Sequence, residues 1–298
     1  MDISVIVPVY NGAKRIPVCL EALMRQTLPR EKYEVLIVDN GSTDDTAEVL
    51  GAYHGKSRGL IRYIDETERG VCAARNRGIT EARGKYLAFT DDDCAPEPGW
   101  LEAVLQAFET SDAEAVQGKV VLATPIPEGT KYPLDFIHKR IAHVDYYPEF
   151  CKMRNKDLVG ANVSFLKEVF EKFGNFNGSP DYYLCEDTEL STRMMRKGIK
   201  AYYQPKAVVH HHFDAARLND EFFLRQSRAW GRANILLEPA GLPTWRHFLY
   251  CLRLLAMEYF LLASQQLQKK ETDAFLTRCR VYGYLGRCEQ LLKGRKKV

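Results

Sequence analysis

The sequence predicts an α/β protein: a mostly parallel central sheet with helices on both faces, followed by a helical C-terminal extension. Three observations carry this. Short runs rich in β-branched residues alternate with helical patterns through the first third of the chain. Polar clusters stand at the ends of three of those runs, where open sheets of this kind bind their ligands. From Leu218 onward the strand pattern is gone and helical periodicity replaces it. The 298 residues suffice for one substantial core with an added lobe.

Ile3-Ser4-Val5-Ile6-Val7-Pro8-Val9 reads as a buried strand, broken by Tyr10-Asn11-Gly12. A helix follows, with Ile16, Cys19, Leu20 and Leu23 on one face, and Pro29 closes that unit. Tyr33 to Val38 is a second strand. Asp39-Asn40-Gly41-Ser42 is a turn, after which Thr43 or Asp44 can cap a helix. Leu60 to Ile64 is a third strand, Val71 to Arg83 a helix, and Lys85 to Thr90 a fourth strand, followed by a turn and a helix from Trp100. Ala115 to Leu122 is again a strand. The Pro- and Gly-rich stretch Thr124 to Pro133 is a loop, Leu134 to Val144 a helix, and Tyr146 to Asp157 a loop beside the site. Leu158 to Phe165 reads as a strand and Lys167 to Phe173 as a short helix. A loop to Tyr183 precedes a helix from Glu186 to about Lys197, with Gly198 as its stop. Lys200 to Tyr203 and Ala207 to Val209 are two short strands, and His210-His211-His212 follows.

Composition narrows the function classes. Hydrophobic residues make up 46% and charged residues 27%, ordinary for a globular protein. The net charge of +3 is too small to argue for nucleic acid, and the positive end is Lys293-Gly294-Arg295-Lys296-Lys297. Eight scattered cysteines without a CxxC pair argue against zinc or a disulfide framework and fit free thiols in a reducing cytosol. The chain opens directly on strand-like residues, with no signal peptide in view. Trp245 to Leu267 is strongly apolar, but Arg246, His247, Arg253 and Glu258 disfavour a spanning helix. Two readings stay open: packing on the main domain or a partner subunit, or an interfacial helix with the basic tail against anionic lipid.

The chemistry centres on Thr90-Asp91-Asp92-Asp93. Three adjacent carboxylates at a strand end repel one another unless a cation or polar ligand offsets the repulsion. Hard oxygen donors suit Mg²⁺ or Mn²⁺, which arrive with phosphates. A solvated acidic turn is the plainer alternative. Tyr10-Asn11, Asp39-Asn40 and the Asp run all fall at carboxyl ends of strands, and that convergence favours a nucleotide site.

Val5-Ile6-Val7-Pro8-Val9-Tyr10-Asn11, Val38-Asp39-Asn40-Gly41-Ser42-Thr43-Asp44, Gly70 with Ala74-Arg75-Asn76-Arg77-Gly78, the Asp run, Gly160-Ala161-Asn162 and Glu186-Asp187 occur in one order. As an ordered set they resemble the family 2 inverting glycosyltransferases of the GT-A fold, which is Rossmann-like. The resemblance covers roughly residues 1 to 215. It implies a glycosyltransferase domain over 1–215, with a nucleotide-binding half 1–123 and an acceptor-binding half 124–215, and a helical extension over 216–298.

By resemblance Asp39 recognises the base, Pro8, Tyr10 and Asn11 line its pocket, and Gly70 lets backbone approach closely. Arg75 and Asn76 contact the nucleotide, with an ion pair on a helix face as the alternative for Arg75. Asp91 and Asp93 hold the ribose and a Mg²⁺ or Mn²⁺ ion, with Asp92 beside them. His211, then His210, is the further metal ligand; a polar strand end without coordination is the alternative. Asp187 is the general base and Glu186 its support, while Gly160, Ala161 and Asn162 lie near the acceptor and sugar. The implied reaction is one in-line displacement with inversion. The donor is a nucleotide sugar, a UDP-sugar by preference. The acceptor is a glycan or lipid-linked intermediate of cell-surface polysaccharide synthesis, met in the cytoplasm at the inner membrane face. A homo-oligomer is compatible with this. The competing classes are a nucleotidyltransferase of similar topology, disfavoured by the single glycine in Tyr10-Asn11-Gly12-Ala13-Lys14-Arg15, and a non-catalytic binding protein, disfavoured by the retained carboxylates.

Overall fold

The computed structural model describes residues 1–154, 156–182, 184–238, 244–268 and 270–293. Its first strand, β1 (Ile3–Val9), is buried at every position, as a strand covered on both faces must be. It pairs in parallel with β2 (Tyr33–Asp39) on one side and β4 (Tyr86–Phe89) on the other, and β3 (Ile61–Asp65) lies beyond β2. The crossovers are α1 (Ile16–Met24), α2 (Thr46–Ser57) and α3 (Val71–Glu81). Pro8 sits inside this central strand. Ile6 accepts from the Thr90 N–H and Val9 accepts from the Asn40 N–H, so by alternation the nitrogen of Pro8 faces the β4 side. The β1–β4 pairing stops at Ile6 and Phe89, where Pro8 has no donor to continue it. The two strands part there, beside the Asp run.

The second half adds β5 (Cys94–Pro96), α4 (Trp100–Glu109), β6 (Ala115–Leu122), α5 (Leu134–Arg140), β7 (Cys151–Lys152), β8 (Val163–Leu166), α6 (Val169–Phe173), α7 (Glu186–Arg196) and β9 (Ala201–His211). Sheet order is β3-β2-β1-β4-β8-β6-β9-β5, with β7 also on β9. The β1–β4 strands are parallel as expected. Antiparallel pairings of β8 with β4 and β6, and of β5 and β7 with β9, make the whole sheet mixed.

Several expectations from sequence need correction. Leu158 to Phe165 is not one strand: a single helical turn occupies Gly160–Asn162 and β8 starts only at Val163. Asn162 explains it. Its amide donates to the Lys119 and Ala207 carbonyls and accepts from the Trp100 indole, each at 2.8 Å, replacing ladder bonds with side-chain ones. The two short strands expected around Gln204 are one strand, β9, because a register shift opposite Gly118 and Lys119 absorbs the interruption. The turn after the Asp run contains β5, paired with β9. The helix from Leu134 ends at Arg140 rather than Val144, since Val144 exchanges both backbone bonds with Val120.

Packing divides the chain into two compact units. The first is Met1–Pro125, Ile141–Gly178 and Leu190–Phe213, which holds the sheet. Phe89 lies at its centre, edge-on to Phe165, Phe170 and Phe176. The second is Ile126–Arg140, Ser179–Glu189 and Asp214–Val298. It therefore draws on two earlier segments as well as the helices α8 (Asp220–Leu237), α9 (Thr244–Leu267) and α10 (Glu271–Lys293). Tyr132, Phe136, Phe223 and Phe275 form an aromatic cluster within it. The basic tail beyond Lys293 lies outside the described residues.

Candidate active site

Register brings the first two polar clusters together. Val9 pairs with Asp39 and Asp39 with Asp65, so the ends of β1, β2 and β3 form one rim. Asp39 is nearly buried. One oxygen accepts from the Ser42 N–H at 2.9 Å and hydroxyl at 2.6 Å; the other accepts from the Tyr63 hydroxyl at 3.1 Å. Tyr63 also donates to Asp65. Burial first, and then these two acids, push its phenol pKa well up, so it stays a donor. Asn11 adopts a left-handed backbone, φ 47°, and its side-chain carbonyl accepts from Thr43 N–H at 2.8 Å. Asn40 accepts from Gly70 N–H at 2.6 Å, and Gly70 has φ 125°, a conformation only glycine takes easily. Tyr10 is half exposed, and the Arg69 guanidinium lies 5.0 Å from its ring centre. Tyr10, Asp39 and Gly70 thus stand on one rim with Arg69, Tyr63, Ser42 and Asn40 as their immediate partners. Asn11, Asn40 and Asp44 tie its loops, the turn-building roles those residue types favour.

The three aspartates take three different partners. Asp91 accepts from Arg75 at 3.1 Å; the Arg75 guanidinium is buried against Phe176 and under Gly160, where a Cβ would come within 2.7 Å of it. Asp92 accepts from Arg15 at 2.7 Å and lies against Gly12, where a Cβ would meet its oxygen at 2.4 Å. Burial raises the Asp92 pKa to about 6 despite Arg15, with Asp93 and Asp91 adding to the rise. Asp93 faces His211: its Oδ1 is 3.4 Å from Nε2.

His211 is oriented by its other nitrogen. Nδ1 lies 3.0 Å from the Ile141 carbonyl, which can only accept, so Nδ1 carries the hydrogen. The neutral ring then presents the Nε2 lone pair to a carboxylate, and that juxtaposition requires a positive charge between them. A proton or a divalent ion meets it. Burial disfavours the imidazolium, yet the hydrogen bond and charge of Asp93, with Asp91 behind, raise the pKa of His211 overall. A ring whose far N–H is anchored on a backbone carbonyl is also the usual arrangement of a metal-binding histidine. Asp93, Cys94 and His211 bring donor atoms within 4.8 Å of one another. Burial, then Asp93 and Asp91, keep the Cys94 thiol protonated, which leaves carboxylate and imidazole as the effective donors. That pair suits Mn²⁺ or Mg²⁺.

The remaining candidates are distributed as follows. His210 points away from this cluster, its Nε2 at 2.9 Å from Glu97, because successive strand residues face opposite sides. Asn76 uses both ends of its amide on the Phe176 backbone, and Asn162 is fully engaged inside the sheet. Ala161 accepts from Thr90 at 3.0 Å, so this segment braces the strand that leads into the Asp run. Glu186 and Asp187 open α7, and an Asp187 oxygen accepts from the Thr188 N–H at 2.7 Å. Sequence reasoning missed Arg69, Tyr63 and Ser42 on this rim, and Arg15 as the partner of Asp92. Arg15 stood in view only as part of a loop judged too poor in glycine.

A family model described as Glycosyl transferase family 2 matches residues 4–174, so Glu186, Asp187 and His211 lie beyond the match. Glycosyltransferase AglE of Haloferax volcanii is 42% identical over 181 residues, which cover 58% of this chain and 55% of AglE. The chain spans about half, or less, of the length of the curated relatives it first matches. Among solved structures, mannosyltransferase PcManGT from Pyrobaculum calidifontis in complex with GDP-Man and Mn²⁺ is similar at a TM-score of 0.63 and 21% identity, over 98% of this chain and 88% of that one. S. aureus TarS 1-349 in complex with UDP is similar at 0.58 and 17%, over 100% and 93%. These likenesses concern the fold, which is of the GT-A type.

Proposed function

The chain belongs to glycosyl transferase family 2, and from that premise we propose that it transfers a sugar, with inversion, from a nucleotide-sugar donor to a glycan or lipid-linked acceptor. The observation that carries this is the Asp93 carboxylate set against the Nε2 lone pair of His211, 3.4 Å apart at the carboxyl end of the sheet. Asp93 and His211 hold a Mn²⁺ or Mg²⁺ ion, which, when bound, neutralises the charge of the departing diphosphate. Asp39, with Tyr10 and Arg69, holds base and ribose. Gly70 lets the backbone come close to the nucleotide, and Arg75 keeps Asp91 in place. Asp187, assisted by Glu186, takes the proton of the acceptor hydroxyl while that oxygen bonds to the anomeric carbon and the bond from carbon to diphosphate breaks.

One similar structure holds UDP and another GDP-Man with Mn²⁺. We take a UDP-sugar as the donor here. The test is calorimetric binding of UDP, GDP and dTDP, each with and without Mn²⁺. Metal-dependent binding of UDP above the others is expected, and Asp187→Asn should abolish transfer while leaving that binding nearly intact. No binding of any of the three by the folded protein would overturn the reading.

The same reading places the chain in the cytoplasm, peripheral at the inner membrane face, as suits a lipid-linked acceptor in polysaccharide assembly. What supports it is α9. Trp245–Leu267 is long and apolar enough to cross a membrane by length and composition, and little of it is buried. Its single acid, Glu258, is paired with Arg280 of α10 at 2.9 Å, and His247 faces Glu238 at 3.4 Å. Those bonds hold one side of α9 on the helical unit, which favours a helix lying in the interface over one passing through it.

A further inference from the structure

The helical unit contains a cavity of about 330 Å³ between α5, α8 and α10. That is at the small end of the roughly 300–1,000 Å³ typical of ligand sites. Its wall has a distinctive chemistry. Three arginines line it, Arg140 from α5 and Arg280 and Arg287 from α10, and no carboxylate is among the described lining residues. Trp230, Phe136 and Tyr284 supply aromatic surface, and Asn234 and Ser227 supply polar groups.

The arginines differ in how far they are neutralised. Arg280 is held by both oxygens of Glu258 at 2.9 Å and also donates to Thr277 at 2.8 Å. Arg287 donates one N–H to Glu238 at 3.0 Å. Arg140 has no carboxylate partner among the described residues. Its guanidinium lies 4.2 Å from the Trp230 ring centre and 4.9 Å from that of Phe136, with one long contact of 3.4 Å to Gln226. Burial lowers its pKa, the mark of a cation held away from water without full compensation. An arginine carries five N–H donors in a planar fork. Stacking fixes the plane of the Arg140 fork and leaves most of its edge available.

Two glycines, Gly231 and Gly283, belong to the wall. A Cβ at Gly231 of α8 would meet the Gly283 carbonyl oxygen of α10 at 1.9 Å, so the two helices touch main chain to main chain.

We infer that this cavity is a second, metal-independent anion site that binds a phosphate or diphosphate group, with Arg140, Arg280 and Arg287 as its donors. Converging guanidinium forks from two elements match the several oxygens of such a group, and charge-assisted bonds of this kind are the strong ones. The adjoining aromatic surface accommodates an organic body esterified to it. The site shares no residue with the Asp93–His211 cluster and stands whether or not the donor reading holds.

The probe is inorganic pyrophosphate, titrated calorimetrically into the full chain in excess EDTA, so that a metal-dependent diphosphate site does not contribute. One binding site is expected, weakened at least tenfold in Arg140→Gln and in Arg280→Gln. UDP binding in Mn²⁺ should be unchanged in both. Arg280 is exposed, so its variant keeps the test valid if Arg140→Gln fails to fold. Dihexanoyl phosphatidic acid, below its micellar concentration, separates the two sources: tighter binding than pyrophosphate assigns the site to a lipid headgroup, weaker binding to a free phosphate compound. Absence of pyrophosphate binding in EDTA, or an affinity that neither substitution changes, overturns the proposal.

Discussion

His211 faces Asp93, and the nitrogen turned away from the cluster sets the tautomer of its ring. Because Nδ1–H is anchored on Ile141, the neutral ring presents its Nε2 lone pair to Asp93. We expect His211→Ala to weaken Mn²⁺ binding by more than tenfold, measured by electron paramagnetic resonance of free Mn²⁺, and His210→Ala to leave it unchanged, since His210 is directed at Glu97. Equal losses in both variants would refute the assignment. The residues of the cluster were visible in sequence: three acids in a row and a histidine run are local patterns. His211 was ranked before His210 by resemblance alone; which face of β9 meets Asp93 is set by the fold and by no local pattern. Arg15 was hidden for a similar reason, as its partner Asp92 is 77 positions away and no spacing links them. A second residue-scale prediction concerns Glu34, which is nearly buried and accepts from Ser4 at 2.7 Å, and from Arg62 and the Arg83 N–H at 2.8 Å each. Burial raises its pKa, but Arg62, Ser4 and Arg83 together outweigh it and hold the group below its ordinary 4.5. A depressed carboxylate contributes stability that is fully present above that ordinary value and is lost as pH falls through the folded one. Glu34→Gln should therefore cost roughly 1–3 kcal/mol at pH 7 and progressively less below about pH 4. Thermal melts across that range check it; a deficit independent of pH would show that the charge is not what matters.

Elements whose period is set by burial on both faces were readable, and elements defined by a side chain standing in for backbone were not. β1, β2 and β6 follow directly from β-branched runs. The segment Leu158 to Phe165 has the same composition, yet Asn162 converts half of it to a helical turn by bonding Lys119, Ala207 and Trp100. No propensity encodes three partners so far apart in the chain. Among the helices, glycine separates two cases. In α2, Gly51 and Gly55 are exposed and a Cβ at either would meet nothing within 4 Å. Gly51→Ala or Gly55→Ala should stabilise the protein by about 0.4–1 kcal/mol through the unfolded chain. In α8, a Cβ at Gly231 would meet the Gly283 carbonyl oxygen at 1.9 Å, and in α10 one at Gly286 would meet that of Arg228 at 2.1 Å. Both obstacles are main chain and cannot rotate aside, so Gly231→Ala should destabilise by about 1–3 kcal/mol. Denaturant titrations of the three variants test the pair of claims together. A neutral Gly231→Ala would mean that the two helices do not touch where they are placed.

At the scale of the whole molecule, a net charge of +3 gives no reason for the chain to seek a membrane, so any attraction must come from how charge and apolar surface are arranged. The exposed residues of α9 include Trp245, Leu249, Leu252, Phe260 and Leu267, which recur at steps of three, four, seven or eight and so share a side of the helix. The exposed charges of α9 are Arg246 and Arg253, while its acid is turned to Arg280. A second copy of this chain would bring like charges together on such a face. An anionic bilayer meets both the apolar stripe and the cations, with Trp245 and Tyr259 of the type found at the headgroup level. The protein should therefore sediment with vesicles containing phosphatidylglycerol, and much less with phosphatidylcholine alone. The difference should shrink as salt rises, because surface cations are worth about 1 kcal/mol each near anionic lipid at low ionic strength. Arg246→Gln with Arg253→Gln should remove the preference for anionic lipid but keep residual binding, and Leu249→Glu with Phe260→Glu should remove binding altogether. If the first pair alone abolished binding to every vesicle, apolar insertion would have no part in it. If neither pair had an effect, α9 would not be the membrane contact, and a dimer that covers the stripe would become the reading to test by sedimentation velocity.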